Sequence, residues 1–330
     1  MIIQRIGLVV AAAVLFPSMS ALLAAEPGNT SGIDKSLFSN SVEPGENFYV
    51  YSNERWLETT KIPGDKSRHG AFTILADETR EKVRSLIEGA AGEDSKPGTA
   101  AQKVGDLYRS ATALETRNEA GVSPLRSVLA LVDSAESKPA IADLMGSLIR
   151  KGVPIPLIPS VGVDARDSDQ YTVYLSQSGL TLPDRDYYLN DEPRYVELRA
   201  ELKAYIAEML SALEVGDPLA AADQIYAIES KLAASQWTKT ENRDPEKTYN
   251  SRSSDQVAEL ASGFPWTGFV ETAGVAGRDA YIVRQPSFVE GFGQLFAATD
   301  IEDWKSYLRF RVIDAYANYL SESLERRHFD

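Results

Sequence analysis

The sequence predicts a mainly α fold with a small antiparallel β element. Apolar residues recur at helical spacing along most of the chain, most clearly through Tyr195, Leu198, Leu202, Ile206, Met209 and Leu213. The segment 151–160 carries three prolines and cannot be helical, because proline removes a backbone donor and clashes with the preceding turn. With 330 residues, of which 43% are hydrophobic and 25% charged, the composition is globular and fits one or two domains.

Helices are predicted wherever the 3.6-residue period holds. The clearest stripe starts near Pro193, a residue favoured in the first helical turn. A second runs from Ile301 to Tyr319, with Asp300 placed as its N-cap. Weaker patterns predict helices over 76–90, 100–115, 124–134, 138–150, 218–235 and 254–262.

Two strands follow the proline-rich segment. Val161–Val163 and Tyr171–Leu175 alternate apolar and polar residues, and the polar stretch Asp164–Asp169 between them is typical of a turn. We therefore predict an antiparallel hairpin. Farther along, the irregular stretch Asn242–Pro245 separates two helical patterns and is the best linker candidate.

The N-terminus has the pattern of a secretory signal. Arg5 precedes an apolar run from Ile6 to Phe16, and small residues follow up to Ala25. The run is shorter than the roughly 20 residues that a bilayer-spanning helix needs. We expect a signal peptide over 1–25, a flexible leader over 26–36 and an exported, periplasmic or extracellular product with no membrane span after cleavage. An uncleaved membrane anchor is the alternative.

Composition excludes several classes of function. With 48 acidic and 34 basic residues the net charge is −14, which argues against nucleic acid as a partner. The chain has no cysteine, so disulfides, thiolate metal sites and cysteine nucleophiles are absent. Its two histidines, His69 and His328, are too far apart for an H-E-x-x-H zinc motif. We therefore assign no catalytic and no metal-binding residue. A carboxylate pair for glycoside hydrolysis stays open, although no spacing selects one.

Five blocks of sequence are specific enough to suggest a family. In order they are Glu43–Tyr51 with Arg55–Leu57, Ile62–Phe72, Gly179–Leu189, Asn242–Asn250 and Trp304–Leu308. In order and approximate spacing, these blocks resemble the neprilysin and endothelin-converting-enzyme family of zinc metallopeptidases, particularly its bacterial exported members. The resemblance runs from about Ile33 to the last residue.

The resemblance implies a two-domain helical metallopeptidase, of which this chain is the N-terminal part. In such enzymes a catalytic domain built from two distant chain stretches surrounds an inserted second domain, and peptides enter a cavity between them. Residues 37–242 would then be the N-terminal part of the catalytic domain, and 250–330 the truncated start of the helical second domain. The family's zinc ligands lie in its C-terminal half, so zinc is implied for the full-length family and none for this segment. The implied partners are peptide substrates and the remainder of its own polypeptide.

One substrate-binding residue is implied by the same resemblance. Ser67-Arg68-His69-Gly70-Ala71-Phe72 matches a family stretch whose arginine helps hold the C-terminal carboxylate of the peptide, so Arg68 is the candidate. A guanidinium suits this role because it pairs with both carboxylate oxygens. Neprilysin has a second arginine eight positions later, where this chain has Ala76, which fits a broader endopeptidase better than dipeptide release. A surface ion pair or a cap for the loop is the alternative for Arg68.

Other residues of these blocks are interpreted as structural. Trp56 and Phe72 are expected to be core anchors on either side of Pro63. His69 is expected to be a partly buried, hydrogen-bonded loop residue, with substrate contact as its alternative. We assign His328 no role.

The block around Pro183 is interpreted in the same way. Asp184, Arg185 and Asp186 indicate a turn closed by charge-assisted hydrogen bonds. Tyr187 and Tyr188 are expected to pack in the interior, with cavity lining as the alternative.

Three hypotheses of function follow from the sequence. The first is the N-terminal segment of an exported zinc metalloendopeptidase for short peptides, which forms part of the cavity and is inactive alone. The alternative is a non-catalytic exported peptide-binding protein derived from the same family. A glycan-active enzyme has no positive support. Because domains would be incomplete, an exposed apolar face is also expected.

Overall fold

The computed structural model describes residues 33–330, which form two compact units, one ending at Ile87 and the other running from Glu88 to Asp330. The predicted signal peptide over 1–25 and leader residues 26–32 lie outside the described residues. Across 33–330, no helix combines the length and the apolar character that spanning a bilayer requires.

The first unit is built around two helices. Helix α1 spans Phe48–Thr59, and the side-chain oxygen of its N-cap, Asn47, accepts a hydrogen bond from the Val50 N–H at 3.1 Å. Helix α2 spans Ala71–Gly92 and continues past Ile87, so the predicted helix over 76–90 is confirmed and begins five residues earlier. Helix α1 was not predicted from the sequence. Among residues 33–87 no apolar side chain is fully buried, and several are exposed, including Phe48, Tyr49, Phe72, Leu75, Val83 and Leu86.

The second unit contains the remaining helices. They are α3 (Ala100–Thr112), α4 (Leu114–Ala120), α5 (Arg126–Asp133), α6 (Lys138–Ile149), α7 (Asp186–Leu189), α8 (Pro193–Ala212), α9 (Pro218–Ser235), α10 (Ser254–Leu260), α11 (Trp266–Ala273), α12 (Pro286–Ala298), α13 (Ile301–Tyr316) and α14 (Glu322–Phe329). Every helix predicted in this region is present, and α9 has the predicted bounds. The predicted helix over 100–115 ends at Thr112, and Tyr319 lies in a 3-10 turn that follows α13. Asp300 takes the N-cap position of α13 without a side-chain capping bond. The short α4 and α7, the apolar α11 and α12 and the charged α14 were not predicted as separate helices.

The sheet has four strands in the order β1-β2-β4-β3. Strand β1 (Leu157–Val163) pairs antiparallel with β2 (Tyr171–Gln177), which confirms the predicted hairpin and extends both of its strands. Strand β4 (Tyr281–Val283) is parallel to β2, and β3 (Asn250–Arg252) is antiparallel to β4. These two strands have three residues each, which is too short for a pattern of alternation to show in the sequence.

The sheet combines strands from both sides of the predicted domain boundary, because β1 and β2 precede residue 242 and β3 and β4 follow it. The linker candidate is ordered by contacts. Its first residue, Asn242, lies in a 3-10 turn and accepts a 2.8 Å hydrogen bond from the side chain of Gln285. The division into residues 37–242 and 250–330 stays a prediction.

The core of the second unit contains a close crossing of α6 and α11 and a cluster of aromatic rings. At the crossing, a Cβ on Gly146 would collide with Thr272 and the carbonyl of Phe269, so only glycine allows this approach. The aromatic cluster joins α11, α12 and α13 through Phe264, Phe269, Phe292, Phe296 and Trp304. Trp266 of α11 packs on Phe269 and on Tyr281 of β4, which connects this core to the sheet.

Candidate functional site

The candidate substrate-binding residue, Arg68, lies in the loop that joins α1 to α2 in the first unit. The loop is shaped by local hydrogen bonds. At its start the N–H of Thr60 donates to the carbonyl of Trp56 at 2.9 Å, and the N–H of Lys66 donates to the carbonyl of Pro63 at 3.0 Å, closing a turn. The ammonium of Lys66 then pairs with the carboxylate of Asp77, so the middle of the loop is held against α2.

The end of the loop is fixed by the first turn of α2. The N–H of Gly70 donates to the hydroxyl oxygen of Thr73 at 2.8 Å, and that hydroxyl donates back to the carbonyl of Gly70 at 2.7 Å. This reciprocal pair caps the helix two residues after Arg68. Asp77 also accepts a 3.0 Å bond from Arg80, and the hydrogen bond from Lys66 is the main reason that the pKa of Asp77 is lowered.

Arg68 itself is exposed and has no hydrogen bond or ion pair to any residue within 33–330. The alternative interpretation of Arg68, a surface ion pair or a cap for the loop, is therefore not supported by any hydrogen bond or ion pair among these residues. Ala76, eight positions after Arg68, is an exposed residue of α2. The N–H donors of the Arg68 guanidinium are thus unpaired among the described residues. They extend from a loop that is fixed by local hydrogen bonds and that leads into the N-terminus of the 22-residue helix α2.

The ring of His69 stacks on the indole of Trp56, with ring centres 6.3 Å apart and an interplanar angle of 23°. The Nδ1 atom of His69 is buried and has no hydrogen-bond partner in the described part of the chain. His69 is therefore partly buried as expected, but it is packed by its ring, and the expected hydrogen bond is wrong for this atom. Trp56 is only half-buried, so the expectation that it is a core anchor is not confirmed. The expectation that Phe72 is a core anchor is also wrong: its side chain is 89% exposed, because it lies on an outward face of α2.

A second polar constellation lies in the other unit, beneath the block Gly179–Leu189. Its centre is Glu229 of α9, which is completely buried. The carboxylate accepts hydrogen bonds from the hydroxyl of Tyr188 at 2.5 Å, and from the hydroxyl and the N–H of Thr181 at 2.7 and 3.2 Å. Arg311 of α13, only 4% exposed, is 3.9 Å away and donates to the Thr181 hydroxyl at 3.0 Å. Every oxygen of this buried carboxylate is thereby occupied.

The network continues through Asp314 to α8 and α14. Arg311 is 3.6 Å from the Asp314 carboxylate, which also accepts a 2.7 Å bond from the hydroxyl of Tyr205. The Nδ1 atom of His328 is 2.7 Å from that hydroxyl and 3.4 Å from Asp314. Sequence reasoning gave His328 no role, yet it connects α14 to the network through Tyr205 and Asp314.

Burial and pairing set the protonation of these groups. Burial raises the pKa of Glu229 against the opposing effect of Arg311 and the hydrogen bonds it accepts. Burial acts in the same direction on Asp314, but the bond to His328 and the charge of Arg311 outweigh it and lower the pKa. The bond to Asp314 raises the pKa of His328. Burial beside these carboxylates raises the pKa of Tyr188 and of Tyr205, so both hydroxyls stay protonated donors.

The Pro183 turn and its tyrosines match the sequence interpretation. The N–H of Asp186 donates to the Asp184 carboxylate at 2.8 Å, and Arg185 donates to the carbonyl of Gln236 at 2.8 Å. Tyr188 is buried, and Tyr187 packs edge-on against Tyr195 with ring centres 5.3 Å apart. Interior packing is confirmed for Tyr188. The sequence had one signal for the network that was overlooked, because Glu229 and Arg311 each occupy a position on the apolar stripe of a helix.

The residues from 33 to 330 include no group of three or more histidine, aspartate and glutamate side chains that could hold a metal ion. The two histidines belong to different units and each is engaged locally. The side chains of residues 33–330 therefore do not fit a zinc site, and no chemical step is assigned to a metal from them.

Comparison with known proteins gives consistent matches. Residues 44–330 match the model of Peptidase family M13. Zinc metalloprotease Zmp1 of Mycobacterium tuberculosis is 35% identical with a TM-score of 0.76, covering 91% of this chain and 46% of that one. Human endothelin-converting enzyme-like 1 is 25% identical over 85% of this chain and 38% of its own length. Human endothelin-converting enzyme 1 is 24% identical over 90% of this chain and 40% of its own. The chain thus spans less than half the length of these relatives.

Proposed function

The chain belongs to peptidase family M13, a family of zinc metallopeptidases, and from this premise we propose that it is the N-terminal segment of an exported metalloendopeptidase that hydrolyses short peptides. The observation that carries the proposal is the family match over 44–330 in a chain that spans less than half of its relatives. The zinc of such an enzyme would be held by residues that lie beyond Asp330 in the complete polypeptide. In this proposal the segment alone is inactive.

The proposed contribution of this segment is one wall of the peptide cavity. The apolar side chains exposed on α1 and α2 support this, since residues 33–87 bury no apolar side chain fully and need further surface to pack against. The remainder of the polypeptide would cover part of this surface and complete the cavity. Apolar and aromatic lining is common in cavities that take up peptides.

Arg68 is proposed to bind the C-terminal carboxylate of the peptide. Its guanidinium has no competing carboxylate among the described residues, so binding a substrate carboxylate breaks no ion pair. The backbone around it is held by the Lys66–Asp77 pair and by the Gly70–Thr73 cap, which lowers the entropic cost of binding. Two parallel N–H donors can bind both carboxylate oxygens at once.

The first experiment asks whether the 330-residue chain cleaves a short fluorogenic peptide in the presence of added zinc. We expect no turnover. Chelator-sensitive cleavage by this chain would overturn the proposal that the zinc site lies elsewhere. Sequencing the coding region beyond Asp330 completes the test, because an in-frame continuation with H-E-x-x-H is required for the enzyme proposed.

The second experiment concerns Arg68 in the full-length protein. Charge-assisted hydrogen bonds contribute about 1.5–3 kcal/mol, so Arg68→Ala should raise KM for peptides with a free C-terminus by about 10- to 100-fold. The same peptides with an amidated C-terminus should be unaffected. Arg55→Ala, which removes another exposed arginine of this unit, is the matched control. An equal effect of Arg68→Ala on KM for both forms of the peptide would contradict the proposal that Arg68 binds the C-terminal carboxylate.

The alternative is a non-catalytic exported protein that binds peptides. It is supported by the free guanidinium of Arg68 on its fixed loop, because this group can hold a peptide carboxylate without any metal. It requires that the coding region beyond Asp330 contain no H-E-x-x-H and that the purified protein bind a labelled peptide without cutting it. An absence of binding by calorimetry would eliminate it.

A further inference from the structure

We propose that Trp56 and His69 are positioning residues for Arg68, and that their ring stack sets how strongly the protein prefers peptides with a free C-terminal carboxylate. This inference rests on the carboxylate-binding role proposed for Arg68. Neither ring needs to touch the substrate. The stack acts by fixing the backbone from which the Arg68 side chain extends.

The geometry of the loop supports this positioning role for Trp56 and His69. The Arg68 side chain has no hydrogen bond or ion pair among the described residues, so its position depends on the residues around it. His69 follows it directly, and consecutive Cα atoms are separated by a fixed distance of about 3.8 Å. Anchoring the His69 ring on Trp56 therefore anchors the base of Arg68.

The stack connects the loop to a rigid element. Trp56 lies in the last turn of α1, where its carbonyl accepts the N–H of Thr60. The Lys66–Asp77 pair and the Gly70–Thr73 cap connect the same loop only to α2. The contact between Trp56 and His69 is thus a side-chain link that ties the end of the loop back to α1.

The ring of His69 is held by packing and not by hydrogen bonds. Its Nδ1 atom is buried without a partner among residues 33–330, which is a cost to stability and not a source of it. Phenylalanine has a similar planar shape and lacks the unpaired nitrogen. His69→Phe should therefore preserve the stack, whereas His69→Ala should abolish it.

The experiment uses the full-length protein and one peptide prepared in two forms, with a free C-terminal carboxylate and with a C-terminal amide. The measured quantity is the ratio of kcat/KM for the two forms. We expect His69→Ala and Trp56→Ala to reduce this ratio by about tenfold, through KM for the free acid, because small misplacements of binding groups have large effects. The kcat for the amidated peptide should stay at the wild-type value, which also shows that the variants are folded.

Two variants serve as controls. His69→Phe should keep the ratio within about twofold of wild type, since packing alone is retained. Tyr49→Ala removes another aromatic residue of α1, one that is 63% exposed, and should leave the ratio unchanged.

The outcomes separate the two proposals. If Arg68→Ala leaves the ratio unchanged, the carboxylate-binding role of Arg68 fails. If Arg68→Ala abolishes the preference while His69→Ala keeps it, Arg68 binds the carboxylate and the positioning role is overturned. A loss in His69→Phe equal to that in His69→Ala would mean that a ring nitrogen acts directly, which also contradicts the inference. If Trp56→Ala does not fold, the comparison of the two His69 variants decides.

Discussion

The hydroxyl of Tyr188 donates a hydrogen bond to the carboxylate of Glu229, and both residues are buried. Thr181 donates two more bonds to the same carboxylate. A single charged group of α9 thereby holds both ends of the Thr181–Tyr188 segment. The positive charge of Arg311, 3.9 Å away, makes this buried carboxylate tolerable.

Removing Glu229 should therefore be strongly destabilising. Glu229→Ala leaves Arg311 buried with one carboxylate instead of two, and breaking a buried pair costs about 3–5 kcal/mol. Tyr188→Phe removes the hydroxyl that donates to Glu229 and accepts from the N–H groups of Thr181 and Leu182, and should cost about 1–3 kcal/mol. Urea unfolding followed by circular dichroism measures both values.

Tyr187→Phe is the matched control for Tyr188→Phe. Its ring packs on Tyr195, and its hydroxyl has no hydrogen bond to any of the described residues, so the free energy of unfolding should change by less than about 0.5 kcal/mol. A cost below about 1 kcal/mol for Glu229→Ala would contradict the central role of this carboxylate.

The crossing of α6 and α11 predicts a sharp difference between two glycines. Gly146→Ala puts a methyl group against Thr272 and the Phe269 carbonyl, and overpacking of this kind costs about 1–3 kcal/mol. Gly89→Ala in α2 meets no atom within 4 Å and should stabilise the helix by about 0.5–1 kcal/mol. Thermal denaturation should thus show a lower Tm for Gly146→Ala and an unchanged or higher Tm for Gly89→Ala. Equal Tm values for the two variants would show that α6 and α11 can move apart at little cost, which would contradict the prediction.

Stability should depend on pH through His328. Its pKa is raised above the ordinary value of 6.5 by the bond to Asp314, so its contribution is complete below pH 6.5 and is lost as pH rises through the raised pKa. Tyr205, whose hydroxyl also contacts His328 and Asp314, stays protonated because burial raises its pKa. We expect the attachment of α14 to weaken as pH rises above 6.5 and through the raised pKa of His328.

Hydrogen exchange of the α14 amides, corrected for the intrinsic effect of pH, measures this change. His328→Gln should remove the pH dependence, because glutamine does not titrate. Because Asp314 has a lowered pKa, its own contribution is lost only as pH falls below 3.8, outside this window. If the wild-type protein showed the same protection below pH 6.5 and at alkaline pH, the prediction would be refuted.

Lys138 ties the start of α6 to the end of α12. Its ammonium donates to the carbonyls of Phe296 at 2.6 Å, Ala297 at 2.8 Å and also Thr299. Lys138→Met keeps the aliphatic stem and removes these bonds, so the free energy of unfolding should fall by about 1–3 kcal/mol. Lys151→Met is the control, since its side chain has no hydrogen bond among the described residues, and urea unfolding should distinguish the two variants.

The sequence by itself determined the local elements, because their signals are local. The helical period predicted α8 and α9, proline excluded helix before β1, and alternation predicted the hairpin of β1 and β2. Family blocks predicted membership in the neprilysin and endothelin-converting-enzyme family, which the match to Peptidase family M13 confirms. They also singled out Arg68, whose role stays a prediction.

Only the tertiary structure decided which residues meet. Strand β4 forms by pairing with β2, and its three residues are too few to show a periodic pattern in the sequence. Phe72 is as hydrophobic as any core residue, yet its place on α2 leaves it exposed. Glu229 and Arg311 are separated by 82 positions in the printed sequence, and a charge on an apolar stripe shows no partner until the helices pack. Burial and pairing are properties of surfaces brought together by the whole chain, which is why neighbouring residues in sequence do not reveal them.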